Sequence, residues 1–238
     1  MSDPAPSIRV DQVFHGYDRG HKELASSLRL DDEARAIMLI HSDLLADLGD
    51  GADRAYLTCY SLPSASRHVL ARTWSAGLGF RPGSVWTHSL LLDYQALALI
   101  VDLVALEPLL MRSGEIERGK LAKPLVVSPF AASAPIRIGS NAAAAIKGLY
   151  GGVDGVAEVP SRGRADDDRL ALALWRQMWP GMRRHFTFAT GVGAGRPMKG
   201  ADWMMRFVAE PTGHAAPDLS PGLRVLLEDL PSSGQTPL

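Results

Sequence analysis

Between positions 15 and 21 the chain reads HGYDRGH, which places two histidines, a tyrosine, an aspartate and an arginine in one short run. Imidazoles serve as acid–base groups or metal ligands, a carboxylate can orient them, and a guanidinium grips anions. Gly16 and Gly20 bracket the run, and glycine permits the positive φ and close backbone approach of a tight turn. The candidate catalytic residues are therefore His15, Asp18 and His21, with His88 from a later segment. Asp18 would orient one of the histidines, as the acidic member of a triad does. Ser26, Ser27, Thr87 and Ser89 stand near histidines in the sequence, but no G-x-S-x-G elbow is present. A six-residue spacing of His15 and His21 suits no single helical face, and neither a cysteine pair nor H-E-x-x-H accompanies them. No metal and no cofactor are expected.

A second concentration of polar and aromatic groups spans Arg72-Thr73-Trp74 and the run RPGSVWTH at 81–88. On strands, alternation puts Arg72 beside Trp74 and Trp86 beside His88 on a common face. Such a surface stacks a base or grips a carboxylate, or else forms a buried hydrogen-bonded layer. The candidate ligand-binding residues are Tyr17, Arg19, Arg72, Trp74, Arg81 and Trp86. Arg19 and the backbone of the first run could also hold a phosphate, although no G-x-x-x-x-G-K-[ST] occurs. GVGAGRP at 191–197 is glycine-rich but lacks a βαβ context, so it reads as a loop between strands. Cys59 is the single cysteine. It precludes an internal disulfide and reads as a small buried hydrophobe.

These groups need elements to position them. Alternation predicts a strand at 8–14, and the run at 15–21 is read as a strand-to-helix turn. Asp31 and Asp32 cap a helix reaching about Leu48, with Ile37, Leu44, Leu45 and Leu48 on its apolar side, and GDG at 49–51 ends it. Strands are expected at 55–60, 68–74 and 84–92. Their short connectors, containing Pro63 and Arg81-Pro82-Gly83, imply antiparallel pairing. The most membrane-like stretch, 89–111, is interrupted by Asp93, Asp102 and Glu107, so it reads as a long core helix capped by Asp93. A buried strand follows at 124–129, then an alanine-rich helix opened by Ser140 and Asn141 and stopped by Gly151 and Gly152. ADDDRLALALWRQMWPG at 165–181 is a helix whose acidic first turn complements its dipole and which Pro180-Gly181 terminates. Strands are expected at 183–190 and 203–210.

With 238 residues, 46% hydrophobic and 21% charged, the chain has the composition of an ordinary globular protein. The expected fold is α+β, one domain over 1–210 with a mainly antiparallel sheet and packed helices. Residues 211–238 form a Pro/Gly/Ser-rich tail with a short amphipathic helix at 221–230. There Leu223, Leu226, Leu227 and Leu230 make an apolar stripe that packs on the core or binds a partner. A net charge of -1 disfavours nucleic acid and anionic membranes as partners. MSDPAPS lacks the basic flank and apolar core of a signal peptide, and the cytoplasm is the expected location.

Several segments together carry a family resemblance: HGYDRGHKELASSLRL, YLTCYSLPS, ARTW, RPGSVWTHSLLL and WPGMRRHFTFATG. From about His15 to about Gly191 the chain resembles the N-terminal domain, type one, of the bacterial GTPase-associated protein family. The first and fourth segments are the distinctive ones. The resemblance implies a role in bacterial conflict or antiphage defence, as an adaptor or regulatory partner of a GTPase or another defence component, and it brings no catalytic mechanism with it. Ser84 and Ala189 stand where the resemblance leads one to expect cysteine. Fuller relatives continue into middle and C-terminal domains, so the chain is read as a stand-alone version. The alternative is an enzyme or small-ligand sensor whose pocket joins the HGYDRGH turn to Arg72 and His88.

Overall fold

A computed structural model describes residues 7–44, 55–77, 79–100, 102–112, 118–128, 141–151, 156–191 and 203–208. Its strands are β1 (Ile8–Tyr17), β2 (His21–Ser26), β3 (Ala55–Leu62), β4 (Arg67–Ser75), β5 (Val85–Asp93), β6 (Leu125–Val127), β7 (Ala157–Pro160), β8 (Phe188–Ala189) and β9 (Met205–Val208). The helices are α1 (Asp32–His41), α2 (Tyr94–Leu99), α3 (Arg118–Leu121), α4 (Ala142–Tyr150), α5 (Arg164–Gln177) and α6 (Pro180–Arg183). A 3-10 helix, Leu103–Leu109, follows α2. All the strands join one sheet in the order β2-β1-β5-β4-β3-β8-β9-β7, with β6 also paired to β1. Pairing is antiparallel except for β7 with β9 and β8 with β9. The fold is α+β, as the sequence implies.

Both faces of the sheet are covered, which is why β3, β4 and β5 read as nearly continuous apolar runs. One face packs Leu57, Cys59, Leu70, Leu90 and Leu92 against α2, the 3-10 helix, α4 and α5. The other packs Val13, Tyr56, Tyr60, Val69 and Leu91 against Ala34 and Met38 of α1. The Asp31 side chain caps α1 by accepting from the Ala34 N–H at 2.8 Å.

Four expectations change. The HGYDRGH run is not a strand-to-helix turn. It is a β-hairpin in which β1 and β2 flank a turn at 18–20, with Arg19 at φ 61. α1 ends at His41, and its buried residues are Ala34, Met38 and His41; Leu45 and Leu48 lie outside the described residues. The stretch 89–111 is not one helix. β5 runs on to Asp93, whose side chain caps the short α2, and a 3-10 helix containing Pro108 follows. Proline cannot donate the hydrogen bond a regular helix interior needs. Finally, strand 183–190 shrinks to Phe188–Ala189 because Pro180 starts α6 and the Arg183 side chain turns inward. There it donates to the Met178 and Ile100 carbonyls and lies 4.4 Å from the Trp175 ring centre.

Candidate functional site

Register decides which of the sequence-nominated side chains meet. Directly paired residues on neighbouring strands share a face. Phe14, His88, Arg72 and Leu57 form one row across β1, β5, β4 and β3. His15, Thr87, Thr73 and Tyr56 form the adjoining row, and alternation turns it to the opposite face. The single pocket joining the HGYDRGH turn to Arg72 and His88 is therefore not formed, because the sheet separates its two halves.

On the α1 face the His15 and His21 rings stack with centres 6.0 Å apart. His21 Nε2 lies 2.9 Å from the Ser42 hydroxyl. That hydroxyl donates to the Leu39 carbonyl, so the imidazole N–H is the donor to Ser42, the reverse of a base activating a nucleophile. Thr87 Oγ1 donates to the Ser42 carbonyl at 2.6 Å, and Thr73 Oγ1 in turn donates to Thr87. These bonds fasten the end of α1 to the sheet. Burial, reinforced by the neighbouring His21, holds the His15 pKa down to about 3. Burial also lowers His21, against the pull of Asp43. His15 Nδ1 finds no partner among the described residues. Asp18 sits at the solvent-facing turn and pairs with Lys22 at 2.8 Å. Tyr17, Arg19 and Arg81 are exposed. Among the described residues no group of three or more His, Cys, Asp or Glu side chains could hold a metal ion.

On the other face His88 is consumed by packing. Its Nδ1 accepts from the Met111 N–H at 3.0 Å, so Nε2 carries the proton and donates to Gln12 Oε1 at 3.1 Å. The Gln12 amide then donates to the Lys123 carbonyl at 2.6 Å. Burial keeps His88 neutral, with its pKa near 4. Trp86 stacks on Phe14 and meets the edge of Phe80, with ring centres 6.1 and 5.3 Å away. Gly16 belongs to the same contact, since a Cβ there would stand 2.0 Å from Trp86 Cε3. Cys59 is buried as expected. His68 donates through Nδ1 to Ser61, whose hydroxyl donates to the Arg184 carbonyl, and Nε2 accepts from the thiol at 2.9 Å. Burial pushes the thiol pKa well above its ordinary value.

Arg72 and Trp74 behave differently. They line an open cleft of about 600 Å³ together with Glu107, Pro108, Leu110, Arg112 and Arg164. The Arg72 guanidinium donates to Glu107 at 2.6 Å and to Asp168 at 3.1 Å. Asp168 also accepts from Thr190 Oγ1 at 2.6 Å. Burial pushes the Asp168 carboxyl up to about 6, against the opposing pull of Arg72 and Thr190. A volume in this range suits a small organic ligand, and the guanidiniums suit an oxyanion.

Sequence reasoning identified Arg72 and Trp74 here but not Glu107, Arg112, Arg164 or Asp168. Glu107 stood out only as a charge interrupting an apolar stretch, and Asp168 only as part of an acidic first turn. A signal was present in ADDDR: it holds three consecutive carboxylates, and Asp167 and Asp168 point inward. Leu223, Leu226, Leu227 and Leu230 lie outside the described residues, as do residues 192–197 of the glycine-rich loop.

No helix among the described residues is long and apolar enough to cross a membrane. No curated protein and no solved structure matches the chain. The family match covers β1 to β5 and runs through Leu110, whereas the WPGMRRHFTFATG segment falls beyond it. Residues 9–110 match the family model described as GTPase-associated protein 1, N-terminal domain type 1.

Proposed function

We propose that this chain is an adaptor or regulatory module of a bacterial GTPase-linked conflict system, such as antiphage defence, working in the cytoplasm. The supporting observation is the match of residues 9–110 to a GTPase-associated domain, the segment that supplies Arg72, Trp74 and Glu107 to the open cleft. In this reading the cleft face receives a GTPase or another component of the system. The leucine stripe Leu223, Leu226, Leu227 and Leu230 is a second contact, of the helix-in-groove kind. The test is a pull-down of the full chain with the GTPase encoded beside it, in both nucleotide states. Association that weakens when residues 221–230 are deleted supports the leucine-stripe contact. Absence of association in either state overturns the adaptor reading.

A second reading, a small-ligand sensor, is favoured by the shape and charge of the same cleft. It retains the Arg72 and Trp74 half of the pocket expected from the sequence and replaces the histidine half with Glu107, Arg112, Arg164 and Asp168.

A further inference from the structure

Trp179 is 79% exposed, far more than a tryptophan ordinarily is in a folded chain. Its backbone is nevertheless fixed. It precedes Pro180 in an extended conformation, and its carbonyl accepts from the Met182 and Arg183 N–H groups at 2.8 and 3.2 Å. Met182, three residues on, is exposed as well. From the same turn the Arg183 side chain reaches the Ile100 carbonyl, which ties α6 to the end of α2, where Leu99 is half exposed. Three large apolar side chains thus stand open around one held joint, as anchor residues of a contact surface do.

The charges at this joint select its occupant. Segments 95–100 and 177–185 hold no carboxylate, and the exposed Arg184 pairs with none among the described residues. A second copy of the chain would bring two Arg184 side chains into one interface, which disfavours it. The complement is an apolar stripe with acidic neighbours, and the chain carries one. Leu223, Leu226, Leu227 and Leu230 recur at helical spacing, with Glu228 and Asp229 between the last two. The stripe can also reach. Met205 pairs with Phe188, so about 3.5 Å per residue and one strand spacing keep Val208 within roughly 37 Å of Met182. The chain from Val208 to Leu223 spans up to about 50 Å.

We propose that residues 221–230 dock on this face as an amphipathic helix. The leucine stripe covers Trp179, Met182 and Leu99, and Glu228 and Asp229 turn to Arg184. The adaptor reading offers the same stripe to a partner. Here the chain's own surface holds the stripe first, so a partner must take it from there and uncover Trp179 in doing so.

Acrylamide quenching of tryptophan emission, compared between the natural full chain and Trp179→Phe, isolates Trp179 and tests this. Trp179 should be shielded at every protein concentration. Leu226→Ser combined with Leu227→Ser should raise its quenching constant about threefold and shift its emission to the red. These two positions lie outside the residues that build the sheet, and circular dichroism checks that the body stays folded. A synthetic peptide of residues 219–232 should bind the doubly substituted chain with a Kd below about 1 mM, the effective concentration that a short tether supplies. Arg184→Glu should weaken that binding about fivefold, and a peptide carrying Glu228→Lys and Asp229→Lys should recover it. A Trp179 open to quencher in the natural chain overturns the proposal, as does shielding that survives the leucine substitutions. Shielding that disappears on dilution assigns the face to a second copy and overturns it too. Absence of recovery by the charge-reversed peptide overturns the seating on Arg184. A stripe that shields Trp179 in a chain that ignores the GTPase overturns only the adaptor reading. A chain that binds the GTPase while Trp179 is never shielded overturns only this inference.

Discussion

The HGYDRGH hairpin and the arginine cleft invert the relation between sequence and space. In the hairpin the versatile side chains crowd together along the chain and are then dispersed by strand alternation. His15 and His21 go to the α1 face, Gly16 packs on Trp86 across the sheet, and Asp18, Arg19 and Tyr17 go to solvent. In the cleft, residues as far apart as Arg72, Glu107, Arg112, Arg164 and Asp168 converge from a strand, a 3-10 helix and α5. Density of reactive residue types along a chain marks a packing solution here, while the open chemistry is assembled from scattered positions.

Acid titration should separate the buried histidines, His15 of the hairpin among them, from the cleft most strongly. His15, His41, His68 and His88 all have pKa values lowered to about 3 or 4, chiefly by burial. Their neutral forms support the fold fully above the unfolded value near 6.5, and that support is lost as pH falls toward 4 and below. The loss by pH 4 is on the order of 10 kcal/mol, more than many domains possess. Asp168 has the opposite sign. Its pKa is raised, so below about 6 the folded state takes up a proton that the unfolded chain does not, and stability rises. Thermal melting followed from pH 7 to pH 4 should therefore show a steep fall that becomes steeper in Asp168→Asn. A flat profile would remove the contrast.

Next in size is Arg72→Met. It leaves Asp168 buried without its cation and should cost about 3–5 kcal/mol in denaturant unfolding at neutral pH. Combining it with Asp168→Asn should recover part of the loss, and no recovery would mean that the two charges are not coupled. Gly16→Ala comes third. Its Cβ must push the Trp86 indole aside, at a cost of about 1–3 kcal/mol in the same measurement. An unchanged midpoint would show that the Trp86 ring yields freely. Asp18→Ala should be the mildest, below about 0.5 kcal/mol, because its bridge to Lys22 is half exposed on both sides. A loss above 2 kcal/mol would mean that Asp18 supports the histidine side after all.

The central sheet was legible in the sequence because β3, β4 and β5 are long, apolar on both faces and separated by Pro- and Gly-containing connectors. β2 was not, because HKELAS is an edge strand, only half buried, with no apolar alternation to betray it. β7 was missed as a four-residue strand ending in Pro160. The cleft was half legible. Arg72 and Trp74 sit on a strand whose alternation is readable, whereas Glu107 and Asp168 join them only through tertiary packing. Local pattern carries no information about which helix start will be laid against which strand. The histidines misled for a related reason: residue type shows what a side chain can do, and only burial shows whether it is free to do it.

β1 is shared out between distant parts of the chain. One of its edges pairs with β5, while β2 and then β6 take successive stretches of the other. β3 likewise borrows β8, and Arg72 borrows Asp168. A fragment cut after Leu110 would keep every residue of the family match. It would nonetheless lose the strand beside Ile8 and Val10, the partner of Thr58 and Cys59, and the carboxylate under Arg72. The unit that recurs as a sequence is therefore smaller than the unit that stands as a body, and transplanting the first into another protein requires carrying the second along.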